Sequence, residues 1–199
     1  FDRSSTRGLT PFFGRSAEID HLESRWSELS ADVATATLII GDPGMGKTRL
    51  LWEFRQLLQD TEHDVVELQC SALHENAQLF PVIQYLRSRL GSVEDSVGPD
   101  EQRARLQTIL TDAGMSAEPA LTLVGDLVDL PHSTADDTLP EGIELRRELL
   151  LETLRVMLVG GARTRPLLLI GEDLQWADPS TLELISSVLA HSPGRPLMV

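Results

Sequence analysis

The sequence predicts an α/β domain built on a parallel β-sheet, and three observations support that class. A short apolar run at 36–40 leads through a glycine-rich turn into a helical pattern and a second apolar run, the order in which a parallel sheet begins. A third apolar run, at 167–170, also leads into a helix-like segment. The 199 residues suffice for one such domain with a sizeable core.

The elements follow from hydrophobic periodicity, taken in chain order. Apolar positions at helical spacing predict helices at 16–29 and 48–58, with strands at 36–40 and 65–70. Further helices are predicted at 80–90, 100–113 and 117–130, then a polar loop at 131–140 and a long helix at 141–159, started by Pro140 and ended by Gly160 and Gly161. A strand at 167–170, a helix at 179–190 and an apolar strand from 197 complete the pattern. Because the sequence stops within that last strand, we expect the fold to be truncated at its C-terminus.

Composition excludes several functional classes. The net charge is −14 and the arginines are scattered, so we expect no direct binding of nucleic acid. No apolar run approaches the roughly 20 residues of a membrane span, and no signal peptide is evident. Cys70 is the single cysteine, which rules out an intramolecular disulfide and predicts a cytoplasmic protein.

The single lysine of the chain is Lys47, whereas the other sixteen basic residues are arginine. A compact ammonium on a flexible stem fits inside a phosphate-binding cradle, where a planar guanidinium would not. The position of this lysine therefore indicates a specific role.

Lys47 belongs to the octapeptide Gly41-Asp42-Pro43-Gly44-Met45-Gly46-Lys47-Thr48, which matches the phosphate-loop pattern G-x-x-x-x-G-K-[ST]. In such a loop, glycines let backbone N–H groups surround the β-phosphate, and the next helix points its positive end at the same anion. Lys47 would reach the β- and γ-phosphates, and the Thr48 hydroxyl would bind Mg²⁺. The pattern predicts a site for ATP and Mg²⁺; the alternative is a simple glycine-rich turn.

An acidic pair, Glu172 and Asp173, follows the third apolar run. One carboxylate would hold Mg²⁺ and the other would orient the attacking water. By position, Glu172 takes the metal role and Asp173 the catalytic-base role, although the usual order of Asp before Glu leaves the reverse assignment open. A solvated acidic turn is the alternative.

Several nearby residues have simpler interpretations. Asp178 and Pro179 suit the N-cap and first position of a helix, whatever the function. We expect Trp176 to pack in the core rather than to line a nucleotide pocket. Cys70 is expected to pack at the end of the second strand, and His74 to be a polar loop residue.

Taken together, several blocks of the chain resemble the AAA-type ATPase domain of the bacterial signal-transduction ATPases with numerous domains. The blocks are 9–15 (LTPFFGR) with Glu18 and Leu22, the phosphate loop followed by Arg49 and Leu50, and 172–179 (EDLQWADP), which is similar to the Walker B segment. The stretch 70–83 is most similar to the variety attached to class III adenylate/guanylate cyclases, and large LuxR-type regulators share the two ATPase motifs.

The resemblance implies a P-loop NTPase three-layer sandwich with a parallel sheet in the order 5-1-4-3-2. It implies that the Phe-Gly-Arg segment contacts the adenine side of the nucleotide, and that Lys47, Glu172 and Asp173 form the catalytic set. The implied nucleotide-binding residues are Phe12, Phe13, Gly14 and Arg15 together with Gly41, Asp42, Pro43, Gly44, Met45, Gly46, Lys47, Thr48 and Arg49, and the implied metal ligands are Thr48, Glu172 and Asp173. We expect residues 1–15 to be a linker and adenine-side segment, and 16–199 to be an incomplete ATPase core.

The resemblance also implies a larger protein, with a cyclase or DNA-binding output domain, helical repeats and, in some relatives, a homo-oligomeric state. Gln175 and Gly171 depart from the family pattern and bear on the rate of hydrolysis. Three functions stay open: a slow ATPase switch, a nucleotide-binding scaffold without turnover, and a P-loop kinase for a small acceptor. Because a sensor residue, an arginine and the lid would follow Val199, we expect this chain to bind nucleotide but hardly to hydrolyse it.

Overall fold

The structure is a computed structural model that describes residues 14–29, 34–91, 97–115, 117–131, 139–160, 165–191 and 196–199. The chain forms two compact units. The first comprises residues 1–28 and 37–61, and the second comprises residues 29–36 and 62–199.

The first unit contains two packed helices, α1 (Ser16–Ser27) and α2 (Lys47–Leu57). Leu22 of α1 and Leu50 and Phe54 of α2 are buried between them. The ring of Trp26 meets that of Phe54 edge-on, with centroids 6.3 Å apart. This apolar seam holds the two helices side by side.

The second unit contains a parallel sheet of four strands: β1 (Ala34–Thr35), β2 (Asp64–Gln69), β3 (Leu167–Glu172) and β4 (Leu197–Met198). Their order is β1-β4-β3-β2, and every neighbouring pair is parallel. The predicted α/β class is confirmed, and so is the predicted order at four positions, 1-4-3-2. A fifth strand is not among the described residues.

Five helices belong to the same unit: α3 (Phe80–Leu90), α4 (Pro99–Asp112), α5 (Ala117–Leu127), α6 (Ile143–Gly160) and α7 (Pro179–Ala190). Short 3-10 turns follow β2 and β3, at Ala72–His74 and Leu174–Trp176. The core consists mainly of leucines that these helices and the central strands bury together, among them Leu68, Leu86, Leu106, Leu154, Leu167 and Leu184. The predicted helices are all present.

Several helix boundaries differ from the prediction by one to three residues, and two of these differences have a conformational reason. The helix predicted from 141 begins at Ile143, because Gly142 has a φ of 116° that no α-helix accommodates. The helix predicted to reach 130 ends at Leu127, and Asp129 follows in the left-handed region at φ 62°. Gly161 and residues 132–138 of the predicted polar loop lie outside the described residues.

The prediction of a buried strand at 36–40 is wrong. The strand is Ala34–Thr35, and the side chains of Leu38 and Ile40 are 73% and 85% exposed. The ladder to β4 ends where the N–H of Val199 donates to the Thr35 carbonyl, 2.9 Å away. Among the described residues, no strand lies opposite 37–40 to continue that ladder.

The third apolar strand, predicted at 167–170, is longer than expected. β3 runs on to Glu172, and Gly171 pairs with Leu68 of β2. A Cβ atom at Gly171 would lie 2.9 Å from Cδ2 of Leu174, closer than side chains pack. A side chain at this position would therefore have to displace that of Leu174 in the turn that follows the strand.

Candidate functional site

The glycine loop (residues 41–48) lies in the first compact unit and leads directly into α2. Residues 41–46 are exposed, and α2 begins at Lys47. Gly44 and Gly46 have φ values of 82° and 79°, in the left-handed region that favours glycine. A Cβ atom at either residue would meet nothing within 4 Å, so the backbone conformation is what calls for glycine at these positions.

The ammonium group of Lys47 lies within this loop. Its Nζ atom donates to the carbonyl oxygens of Gly41 and Asp42, at 2.8 and 3.2 Å. The loop is tightened further by a turn in which the N–H of Met45 donates to the Asp42 carbonyl, 3.3 Å away. The positive charge therefore sits among main-chain atoms of the motif, where the sequence places it.

The start of α2 has the character of an anion-binding terminus. Gly46 is the N-cap residue and has no side chain to cap the helix, and the first helical hydrogen bond joins the N–H of Leu50 to the Gly46 carbonyl at 2.9 Å. The first N–H groups of a helix have no partner within the helix and carry its positive dipole. Thr48, the second residue of α2, is half-buried at this terminus.

Arg49 is predicted to bind the nucleotide, but its side chain contacts other residues of α2. Its Nε donates to Oε1 of Glu53 at 2.8 Å, and its guanidinium lies 4.5 Å from the ring centroid of Trp52. A role of Arg49 at the nucleotide stays a prediction.

Of the segment that the resemblance places at the adenine, Gly14 and Arg15 are described. Phe12 and Phe13 lie outside the described residues. Gly14 is exposed with a φ of 80°, and Arg15 immediately precedes α1. The Arg15 guanidinium donates to the carbonyl oxygen of Met45 in the glycine loop. The structure thus brings Arg15 to the loop backbone, a contact that sequence reasoning did not predict.

The acidic pair lies in the second compact unit, at the carboxyl end of β3. Glu172 is the last residue of the strand and is half-buried, and its carbonyl accepts a hydrogen bond from the N–H of Cys70 at 3.0 Å. Asp173 is exposed and left-handed, at φ 55°. Its carboxylate accepts a hydrogen bond from the Gln175 side-chain amide, 3.2 Å away.

Trp176 does not pack in the core as expected, since 40% of its surface is exposed. It ends the short 3-10 turn after β3, where the N–H of Trp176 donates to the Asp173 carbonyl at 2.9 Å. This turn directs the indole away from the buried layer. His74 occupies a similar turn after β2 and stacks on the ring of Phe80, with centroids 3.6 Å apart.

Asp178 has a larger role than the predicted N-cap. The cap is confirmed: Oδ1 accepts hydrogen bonds from the N–H groups of Ser180 and Thr181, at 3.0 and 3.2 Å. In addition, Oδ2 accepts from the N–H of Leu79 at 3.1 Å and from the Thr181 hydroxyl. Only 3% of Asp178 is exposed, so this carboxylate is a buried joint between the starts of α3 and α7.

Cys70 follows β2 and is buried, as expected. Burial, and secondarily the negative charges of Asp178 and Asp173, raise the pKa of its thiol from 9.0 to about 11. The thiol is therefore protonated and unreactive at neutral pH.

Each compact unit carries side-chain oxygens of the kind that magnesium prefers. Within the described ranges, no group of three or more His, Cys, Asp or Glu side chains is arranged to hold a metal ion. Magnesium in nucleotide sites takes one or two protein oxygens together with phosphate oxygens and water. The Thr48 hydroxyl in the first unit is an oxygen donor of that kind, and so are the Glu172 and Asp173 carboxylates in the second.

Comparison with known proteins identifies the family. A sequence model described as "AAA ATPase domain" matches residues 11–199, nearly the whole chain. The chain belongs to the AAA ATPase domain family. The four-stranded parallel sheet agrees with that family, and membership makes the chain a nucleotide-binding ATPase module.

This AAA ATPase domain is 25% identical over 181 residues to an uncharacterized protein of Rhizobium meliloti (strain 1021). The match covers 88% of the chain and 17% of that protein, so the chain spans about a sixth of the relative's length. No solved structure matches the domain. No helix among the described residues is long and apolar enough to cross a membrane.

Proposed function

We propose that the chain binds Mg-ATP at the glycine loop and serves as the ATPase switch of a larger bacterial signalling protein. The observation that carries the proposal is the Lys47 ammonium inside a loop whose glycines hold left-handed conformations at the start of α2. This arrangement supplies N–H groups, a helix dipole and a cation on a flexible side chain, three features that favour a polyphosphate.

In the proposed complex, the N–H groups of the loop bind the β-phosphate. Lys47 leaves the carbonyls of Gly41 and Asp42 and binds the β- and γ-phosphates. Thr48 would bind Mg²⁺, which neutralises phosphate charge when it is bound. The metal role of Glu172 and the role of Asp173 in activating water stay predictions for the second unit.

A cyclase or DNA-binding output would complete the protein. The length of the Rhizobium meliloti relative, of which the chain spans 17%, supports a multidomain arrangement. The nucleotide state would then be the signal passed to the other domains.

Substitution of Lys47 tests the proposal. We expect Lys47→Ala to weaken ATP binding at least about tenfold, equivalent to about 1.4 kcal/mol, with the fold intact. Lys47→Arg should also weaken binding, because a planar guanidinium does not fit the loop. Arg25→Ala, which removes a cation from the surface of α1, is the matched control. Titration calorimetry that finds unchanged ATP binding by folded Lys47→Ala would refute the proposal.

The hydrogen bond from Gln175 to Asp173 supports a second candidate, a nucleotide-binding scaffold without turnover. A carboxylate that is held by an amide is less available to accept the proton of a water. Single-turnover hydrolysis separates the two, since a switch converts bound ATP to ADP and a scaffold leaves it intact. An added small phosphate acceptor would reveal kinase activity in the same assay.

A further inference from the structure

The Arg15 side chain contacts the glycine loop at a main-chain atom. Its guanidinium donates to the carbonyl oxygen of Met45, thirty residues along the chain and within the same compact unit. The resemblance implies an adenine-side role for Arg15. The contact, in contrast, is with the main chain of the phosphate loop.

The acceptor matters because of what is attached to it. The Met45 carbonyl and the Gly46 N–H belong to one planar peptide unit, which is trans, so the two groups point in opposite directions. A cation that fixes the carbonyl therefore fixes the direction of the N–H. Gly46 immediately precedes Lys47 and holds a φ of 79°, a conformation that a free glycine leaves readily.

Arg15 itself is anchored. Its carbonyl accepts the N–H of Ile19 at 3.1 Å, which makes it the first acceptor of α1. That helix is fixed against α2 by buried Leu22 and by the contact of Trp26 with Phe54. The guanidinium is thus presented to the loop by a packed helix.

Lys47 and Arg15, the two cations at the loop, differ in whether their present hydrogen bonds are compatible with a bound nucleotide. Lys47 holds the carbonyls of Gly41 and Asp42, and it must release them to reach a phosphate. Arg15 binds the Met45 carbonyl, on the opposite side of the peptide from the Gly46 N–H, so its contact is compatible with a phosphate bound by that N–H.

We propose that Arg15 is a positioning residue for the phosphates: by binding the Met45 carbonyl it holds the Gly46 N–H toward the bound polyphosphate. The inference rests on the proposed function, because it requires that the loop bind phosphates. It predicts that Arg15 affects every ligand with a β-phosphate equally, whether or not adenine is present.

Calorimetric titrations with ATP, ADP and inorganic tripolyphosphate test this prediction. We expect Arg15→Ala to weaken all three by a common factor of about ten, and Arg15→Lys, which keeps a donor for the carbonyl, to stay within about threefold of wild type. Arg25→Ala, a cation removed from the same helix away from the loop, should change none of them. In ¹⁵N NMR spectra without nucleotide, Arg15→Ala should shift the Gly46 amide resonance and Arg25→Ala should not.

Other results would overturn the inference. Loss of ATP and ADP binding with unchanged tripolyphosphate binding would place Arg15 at the adenine, and a loss confined to ATP and tripolyphosphate would place it on the γ-phosphate. If Arg15→Ala does not fold, Arg15→Gln takes its place, and unequal losses among the three ligands again reject the inference. A folded wild-type chain that binds none of the three would instead refute the proposed function itself.

Discussion

Replacement of Asp178 by alanine is expected to destabilise the second compact unit strongly. This carboxylate is 3% exposed and accepts four hydrogen bonds, two from the first turn of α7, one from the Thr181 hydroxyl and one from the N–H of Leu79. Leu79 is itself buried and left-handed, at φ 56°, immediately before α3. A β-branched or bulky residue rarely adopts this conformation unless its surroundings impose it.

The magnitude follows from the two ends of the joint. Loss of an N-cap side chain costs about 1 kcal/mol. A buried N–H left without an acceptor, here that of Leu79, costs about 1–3 kcal/mol more. The sum is about 2–4 kcal/mol, which for a chain of this size lowers Tm by about 4–16 °C.

The assay is thermal and urea denaturation followed by circular dichroism, with two companion variants. Asp178→Ser keeps a cap for α7 but is too short to reach Leu79, so it should lose about 1–3 kcal/mol, the Leu79 part alone. Asp100→Ala removes an exposed acid from the first turn of α4 and should cost less than about 1 kcal/mol. A stability of Asp178→Ala equal to that of wild type would contradict the joint, and so would an Asp178→Ser variant as unstable as Asp178→Ala.

Three further predictions concern the acidic strand end and its surroundings. Glu172→Gln should weaken the Mg²⁺ dependence of ATP binding, whereas Asp173→Asn should keep binding and lose turnover; titrations and single-turnover assays that gave the opposite pattern would reverse the two roles. Because the Cys70 thiol ionises near pH 9.0 when unfolded and near pH 11 when folded, its contribution to stability is complete below pH 9 and is lost as the pH rises toward 11. Urea titrations should therefore show a steeper alkaline loss of stability in wild type than in Cys70→Ala, and equal slopes would contradict the raised pKa. Gly171→Ala should lower Tm, because its Cβ would lie 2.9 Å from the Leu174 side chain; an unchanged Tm would show that Leu174 moves aside at no cost.

The elements that sequence reasoning placed well are those whose signals are local. α3 and α7 have the predicted bounds, since each combines an apolar stripe with Pro at the first or second position. The turn formed by the glycine loop can likewise be predicted from the sequence, because the motif, its glycines and the start of α2 all lie within eight residues. Propensity and pattern carry such features without information about the rest of the chain.

The strand at 36–40 shows where local signals end. Its apolar sequence suits a buried strand, but a strand exists only where a neighbour completes its ladder, and the pairing of β1 with β4 covers Ala34 and Thr35. The side chains of Leu38 and Ile40 are consequently exposed although they are apolar. An apolar sequence shows that a segment is suited to burial. Whether it pairs as a β-strand depends on residues that are distant in the sequence.

The contacts of Asp178 and Arg15 were missed for a different reason. The N-cap of α7 could be predicted because donor and acceptor lie within three residues, but Leu79 is 99 residues from Asp178, and Met45 is 30 from Arg15. In both cases the partner contributes a main-chain group. Any residue at that position would supply the same group, except that proline has no N–H. The residue type at 79 or 45 therefore does not indicate that its main chain accepts or donates this hydrogen bond. When a charged side chain binds a distant main-chain group, only the charged residue is visible in the sequence, because its partner can be of any type. The roles of Asp178 and Arg15 can therefore be recognised only from the three-dimensional structure.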